Sequence, residues 1–129
     1  MELLLDTNAL IWALSDPHHL APSARAHLED GRNRLFVSAV STWEIAIKVA
    51  LGKLRVPPAL ETWLPARLAE AQMTQLPIAV SHTLVVEHLP SHHKDPFDRL
   101  LIAQALAERL TVVSADTHLA RYGVRVIPC

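Results

Sequence analysis

The sequence lacks the features that mark secreted, membrane-spanning and nucleic-acid-coating proteins. One of its 129 residues is a cysteine, so Cys129 has no partner for an internal disulfide, which favours a reducing compartment such as the cytoplasm. The N-terminus has no basic region, and its apolar run over residues 3–5 ends at Asp6, so we expect neither a signal peptide nor a membrane span. The formal net charge is -1, which excludes binding to nucleic acid by bulk charge and leaves only local patches.

Motifs for several kinds of cofactor chemistry are also missing. There is no Gly-x-x-x-x-Gly-Lys or Gly-x-Gly-x-x-Gly loop for a nucleotide, and no cysteine cluster or His-Glu-x-x-His helix for zinc. Phosphotransfer domains fit less well. The haloacid-dehalogenase type has a second aspartate where this chain has Asn8, and a receiver domain would have a lysine after the strand at Thr111–Ser114.

Half of the residues are apolar, and their pattern is that of short strands alternating with helices. Such alternation predicts one α/β domain over residues 1–129, with a parallel sheet covered by helices on both faces. We expect strands at residues 2–5, 35–37, 74–76, 111–114 and 124–127. We expect the main helices at residues 9–14, 23–30, 42–51, 59–72 and 80–89, a central helix from Pro96, and a short helix ending near Tyr122.

The central stretch, residues 94–105, combines two acids with a helix start. Asp95 precedes Pro96, which is favoured at the first helical position, so Asp95 is predicted to be the N-cap and Asp98 the third helical residue. Two acids in a first turn stabilise free N–H groups and the helix dipole, which is an ordinary structural role. The helix is predicted to face the core through Leu101, Ile102, Ala105 and Leu106.

Four acids, Asp6, Glu44, Asp98 and Asp116, share a position at a junction leading into a helix. Each also has a structural interpretation as a cap, and Ser41 and Glu44 have the spacing of a capping box, with Lys48 one turn later to pair with Glu44. In a parallel sheet these junctions gather along the carboxyl edge, where the carboxylates would repel one another. Mg²⁺ or Mn²⁺, which prefer oxygen ligands, would remove that conflict.

The Asp6-Thr7-Asn8 motif, Glu44, the stretch from His93 to Ala105 and Ser114-Ala115-Asp116 together resemble the PIN-domain nucleases, and among them the VapC-type toxins of toxin–antitoxin pairs. The resemblance covers the whole chain, and the central stretch is its most specific part. It implies a five-stranded parallel sheet and a Mg²⁺ or Mn²⁺ site built by the four acids. It also implies endonucleolytic cleavage of RNA by metal-activated water, a homodimer, and inhibition by a cognate VapB-type antitoxin.

Other residues are candidates for supporting roles. Thr7, Asp95 and Ser114 would support the metal ligands, and Asp95 has its own role as a cap. The cations proposed to contact the RNA backbone are Lys48, Lys94 and Arg99, with Lys53 and Arg55. His18-His19 and His92-His93 fall in polar loops, where solvent exposure is expected, although His93 and Lys94 precede the central helix and are candidates to touch a phosphate.

The apolar residues of the 42–51 helix cover most of its circumference, and Leu54 and Val56 extend that surface. We expect part of this surface, including Trp43 and Leu54, to form a groove for an antitoxin peptide, unless the 59–72 helix buries it. Trp12, Trp43 and Trp63 are expected in the core or at an interface. The alternative to an enzyme is a PIN-like module that binds RNA or protein with an unused acid cluster.

Overall fold

Five short strands form one parallel sheet in the computed structural model, which describes residues 1–129. The strands are β1 Glu2–Leu5, β2 Arg34–Ser38, β3 Thr74–Leu76, β4 Thr111–Ser114 and β5 Val126–Pro128. Their order is β3-β2-β1-β4-β5, and every neighbouring pair is parallel, as the alternation of strands and helices predicts. From β1 the chain adds β2 and β3 on one side, and it then adds β4 and β5 on the other side of β1. The topological switch point therefore lies between β1 and β4.

Six α-helices and three short 3₁₀ helices connect the strands. The α-helices are α1 Thr7–Ser15, α2 Pro22–Glu29, α3 Ala39–Ala50, α4 Leu60–Glu70, α5 Val80–Val85 and α6 Pro96–Glu108. The 3₁₀ helices are Pro17–His19, Val86–His88 and Thr117–Tyr122. None of these helices combines the length and the apolar character that a membrane crossing requires.

Alternate residues of each strand face opposite sides of the sheet, and each side has its own apolar core. Leu3 and Leu5 pack with α1, α2, α3 and α4 on one side, whereas Leu4 packs with α6 and Leu119 on the other. Leu3, Leu4 and Leu5 are all fully buried. A strand buried on both faces reads as a continuous apolar run, which is why residues 2–5 were recognisable from the sequence.

The helix that carries Glu44 begins earlier than the capping-box spacing predicts. Ser38 is the N-cap of α3, and its Oγ accepts a hydrogen bond from the Val40 N–H at 3.0 Å. Ser41, predicted to be the cap, lies inside α3 and is fully buried. The prediction is wrong because Ser38, the last residue of β2, already has the extended backbone of a cap (φ -84°, ψ 145°), so the strand passes directly into the helix.

The helix predicted over residues 80–89 is shorter and faces the core differently. It is α-helical only over Val80–Val85, and Leu84, predicted to face inward, is 62% exposed. His82 faces inward instead and is 2% exposed. The imidazole can be buried because both ring nitrogens have hydrogen-bond partners. Nδ1 accepts the Ala79 N–H at 3.0 Å, and Nε2 lies 2.8 Å from Glu108 Oε1.

Candidate functional site

Asp6 and Asp116 lie on either side of the switch point and are joined through Ser114. Asp6 directly follows β1 and caps α1, with Oδ1 accepting the Ala9 N–H at 2.8 Å. Its Oδ2 accepts the Ser114 hydroxyl, and Ser114 Oγ in turn accepts the Asp116 N–H at 2.9 Å. Ser114, predicted to support the acids, therefore links them directly at the ends of β1 and β4.

Glu44 reaches the same edge from the second turn of α3. Its Oε1 accepts a 2.7 Å hydrogen bond from the Thr7 hydroxyl, which also contacts Ser41 Oγ at 3.1 Å. Its Oε2 lies 2.9 Å from Lys48 Nζ, which confirms the expected pairing of these residues one helical turn apart. Because Thr7 follows Asp6 in the chain, these bonds place Glu44 beside the end of β1.

Asp98 enters the site from the first turn of α6. Asp95 is the N-cap of this helix, as predicted, and its Oδ1 accepts the N–H groups of Phe97 at 2.8 Å and Asp98 at 3.3 Å. Partial burial raises the pKa of Asp98 to about 6, and the negative charges of Asp95, Glu44 and Asp6 contribute to the rise. Asp98 therefore lies within electrostatic range of Glu44 and Asp6.

The neighbouring carboxylates also affect one another's proton affinity at the switch point. Burial raises the pKa of Asp6 above its ordinary value, and the charges of Glu44 and Asp116 raise it further. Hydrogen bonds from Ser114 and Ala9 lower this pKa but do not cancel the rise. Asp6 is thus within electrostatic range of Glu44 and Asp116, and Asp98 within range of Glu44 and Asp6. Burial acts to raise the pKa of Asp116, but hydrogen bonds from His93 and the His118 N–H outweigh it and lower this pKa. We call Asp6, Glu44, Asp98 and Asp116 the acid cluster.

Two members of the acid cluster are engaged by cationic or imidazole groups of the chain itself. Lys48 contacts Glu44, and His93 Nε2 lies 2.7 Å from Asp116 Oδ2. As the side chains lie, no three histidine, cysteine, aspartate or glutamate side chains converge closely enough to hold a metal ion. The joint ligand set of the acid cluster therefore stays a prediction.

The contact of His93 with Asp116 is a part of the site that the sequence did not indicate. Only 15% of the His93 side chain is exposed, so the expectation of a solvated histidine is wrong, whereas His92 is exposed as expected. The His93 ring can be buried because both of its nitrogens have partners: Nε2 contacts Asp116, and Nδ1 contacts the Tyr122 hydroxyl at 3.0 Å. These residues are more than twenty positions apart in the chain, and no local pattern joins them.

The cations predicted to contact RNA have different surroundings. Lys48 is paired with Glu44, and Lys94 is exposed beside the start of α6. Arg99 directs its guanidinium at four backbone carbonyls of the segment before α6. An RNA contact by any of these cations stays a prediction.

The apolar surface expected to include both Trp43 and Leu54 is divided into two parts. Trp43 is 55% exposed and packs edge-on against Phe97, with ring centroids 5.0 Å apart and planes at 67°. Leu54 is half-buried in a separate groove between α1, α3, α4 and the segment that joins α3 to α4. Ile45 is 2% exposed and belongs to the same core as Leu64 and Leu68 of α4, whereas Trp63 and Leu64 of α4 line the groove. The groove is lined by Ile11, Leu14, Ser15, Ile45, Leu54, Arg55, Val56, Pro57, Trp63 and Leu64.

Comparison with known proteins agrees with this architecture. The structure resembles VapBC2 from Rickettsia felis bound to a DNA fragment from their promoter, with a TM-score of 0.72 and 16% identity, covering 100% of this chain and 99% of the other. It also resembles DNA-bound VapBC from Salmonella typhimurium, with a TM-score of 0.71 and 14% identity, covering 99% and 98% of the two chains. At these identities the likeness concerns the fold.

The sequence itself is similar to Ribonuclease VapC16 of Mycobacterium tuberculosis (strain ATCC 25618 / H37Rv), with 39% identity over 59 residues. That match spans 46% of this chain and 42% of the relative's length. The five-stranded parallel sheet with carboxylates gathered at its switch point defines an α/β domain whose candidate site is acidic. The PIN domain family matches residues 3–125, and the chain belongs to this family.

Proposed function

We propose that the chain is a Mg²⁺- or Mn²⁺-dependent endoribonuclease and the toxin of a type II toxin–antitoxin pair. The observation that carries the proposal is the acid cluster at the switch point of a PIN domain, in which partial burial and the charges of neighbouring carboxylates raise the pKa of Asp98 to about 6. The similar sequence segment belongs to a protein named a ribonuclease, and the similar folds come from VapBC complexes. These names support the activity and the kind of partner.

The residues fit a divalent ion by the chemistry of their donors. The candidate ligands Asp6, Glu44, Asp98 and Asp116 offer carboxylate oxygens alone, which suit Mg²⁺ and Mn²⁺ better than softer metals. A bound ion of this kind supplies a Lewis acid that lowers the pKa of water and offsets negative charge on the phosphodiester. The positive charge would also offset the burial and the carboxylate repulsion that together raise the pKa of Asp98.

The chain's own residues prepare this chemistry by holding the acids in place. Thr7 and Ser114 donate hydroxyl hydrogens to Glu44 and Asp6, which fixes the direction of the remaining lone pairs. Water would attack phosphorus opposite the 3′-oxygen, so that the P–O3′ bond breaks and the products carry a 5′-phosphate and a 3′-hydroxyl. No protein side chain needs to act as the nucleophile.

The partners follow the same proposal. The open groove around Leu54 has apolar walls from α1, α3 and α4, which suit an apolar segment of a VapB-type antitoxin. Exposed Val80 and Leu84 on α5 and exposed Trp43 on α3 offer surface for pairing with a second copy in a homodimer.

The alternative is a PIN-like module that binds RNA or protein without cutting. It draws on two observations. Lys48 and His93 contact Glu44 and Asp116, and no three candidate ligands converge. Under this alternative the contacts of Lys48 and His93 would satisfy the acids permanently.

Incubation of the purified protein with single-stranded RNA separates the two functions. The enzyme cuts RNA in Mn²⁺ or Mg²⁺, leaves 5′-phosphate ends, and stops in EDTA. The Asp98→Asn variant should lose cleavage, whereas Asp95→Asn should retain most of it, because asparagine caps a helix about as well as aspartate. RNA binding without cleavage in either metal would favour the binding module.

A further inference from the structure

Arg99 makes its hydrogen bonds to the backbone of a single segment. Nη1 donates to the carbonyls of Pro90 at 2.9 Å and His93 at 3.3 Å, and Nη2 donates to those of Val86 at 3.3 Å and Leu89 at 3.4 Å. A guanidinium presents five donors in one plane, whereas a lysine ammonium is a single point charge with three. The shape of the segment before α6 therefore depends on an arginine at this position.

That segment ends at His93, whose ring lies between Tyr122 and Asp116. Nε2 must carry the hydrogen toward Asp116 Oδ2, because a carboxylate only accepts, and the Tyr122 hydroxyl can donate to Nδ1. Tyr122 is 7% exposed, so it offers a fixed support for the ring. The orientation of His93 is thus set by its backbone through Arg99 and by its side chain through Tyr122.

Asp116 has few other contacts that fix its carboxylate. Its Oδ1 accepts the His118 N–H at 3.0 Å, and Oδ2 accepts from His93. With 39% of the side chain exposed, packing alone does not define its position. Each carboxylate oxygen has two lone pairs, so both oxygens remain able to accept a cation as well.

We propose that Arg99 and His93 form a brace that positions Asp116 within the acid cluster, with Arg99 shaping the segment that carries His93 and His93 directing Asp116 Oδ2. This inference rests on the proposed function, because it assumes that the acid cluster binds a divalent cation. Both residues are positioning residues and neither touches RNA. The brace gives Arg99 a role different from the RNA contact predicted from sequence.

The test uses Arg99→Lys, which keeps the charge and removes the planar fork, with Arg125→Lys as a matched exposed control. Tyr122 is the only tyrosine in the chain, so 3-fluorotyrosine labelling gives one ¹⁹F signal that reports the surroundings of His93. We expect Arg99→Lys to shift this signal and to raise the Kd for Mn²⁺, measured by EPR, by about tenfold or more. Arg125→Lys should change neither value.

A second pair of variants acts at the other end of the brace and covers the case in which Arg99→Lys does not fold. His93→Leu removes the donor to Asp116 and should raise the Kd for Mn²⁺ by about tenfold, whereas His93→Gln retains an N–H donor and should recover part of the affinity. In RNA cleavage, a positioning role lowers kcat and leaves KM and its salt dependence unchanged. A role of Arg99 in binding phosphate would raise KM and weaken the salt dependence.

The inference is overturned if Arg99→Lys and His93→Leu fold and keep the wild-type Mn²⁺ affinity, or if Arg99→Lys changes only KM and its salt dependence. Failure of the proposed function has a different signature. In that case the wild-type protein neither binds Mn²⁺ nor cuts RNA. In that case, an unchanged ¹⁹F signal in Arg99→Lys and His93→Leu would show that the brace itself is absent. A shifted ¹⁹F signal without Mn²⁺ binding would show that the brace exists but does not position Asp116 for a cation.

Discussion

Replacement of Asp98 by asparagine should stabilise the metal-free protein in a pH-dependent way. The Asp98 carboxyl has its pKa raised from 3.8 to about 6 by partial burial and by the charges of Asp95, Glu44 and Asp6. Between these values the folded protein binds more protons than the unfolded chain, so the free energy of unfolding falls as the pH rises through this window. Asparagine is uncharged and removes that loss.

The size of the effect follows from the change in proton affinity. At about 1.4 kcal/mol for each tenfold change, the rise in the pKa of Asp98 corresponds to about 3 kcal/mol. Because the carboxyl is only partly buried, solvent screening reduces the expected gain to about 1–2 kcal/mol. The Asp98→Asn variant should therefore match the parent below pH ~4 and exceed its free energy of unfolding by this amount above pH ~6.

Urea unfolding in EDTA, monitored by circular dichroism at several pH values between about 4 and 7.5, measures this difference. Glu87→Gln is the matched control, because it removes the same charge from a side chain that is 79% exposed. Its free energy of unfolding should stay within about 0.5 kcal/mol of the parent at every pH. An Asp98→Asn variant no more stable than the parent at pH 7.5, or a difference independent of pH, would refute the raised pKa of Asp98 and the partial burial beside other carboxylates that causes it.

Three further predictions concern the metal, the core and the partner. Mn²⁺ at ten times its Kd should raise the Tm of the parent by about 5 °C and EDTA should reverse the rise; an unchanged Tm at millimolar metal would contradict a shared site. Ser38→Ala removes the cap of α3 and the hydroxyl that Gln104 Oε1 accepts in the core, so denaturant unfolding should show a loss of about 2–3 kcal/mol; a loss under about 0.5 kcal/mol would contradict this role. Leu54→Glu should abolish binding of an antitoxin peptide, measured by calorimetry, and leave RNA cleavage intact; unchanged binding would exclude the groove.

Most of the fold was predictable because its signals are local. Residues 2–5 read as a strand buried on both sides, and Asp95-Pro96 marks the start of α6 by the preference of proline for the first helical position. The sequence did not reveal where α3 begins, because Ser38 and Ser41 both precede good helix formers and only the path of β2 decides between them. On α5, His82 is buried in place of Leu84, which was expected to face inward. The burial of His82 depends on its hydrogen bond to Glu108, which is distant in the sequence.

The site divides in the same way. The four acids were found because parallel strands bring their carboxyl ends to one edge, and Thr7 and Ser114 contact them as expected. The contact of His93 with Asp116 could not be predicted, since it depends on how two separate loops meet. The carbonyl partners of Arg99 could not be predicted either, because they depend on how the preceding segment folds over the start of α6, and its RNA contact stays a prediction.

Mn²⁺ binding by single carboxamide variants tests whether the acid cluster is one cation site. Asp6→Asn, Glu44→Gln, Asp98→Asn and Asp116→Asn each remove one charged ligand candidate, and Asp95→Asn is the control at the helix cap. Each of the four should weaken Mn²⁺ binding, measured by EPR, by about tenfold or more, equivalent to about 1.4 kcal/mol, and Asp95→Asn should have a smaller effect. Wild-type Mn²⁺ affinity in all four folded variants would show that the acid cluster is not one cation site.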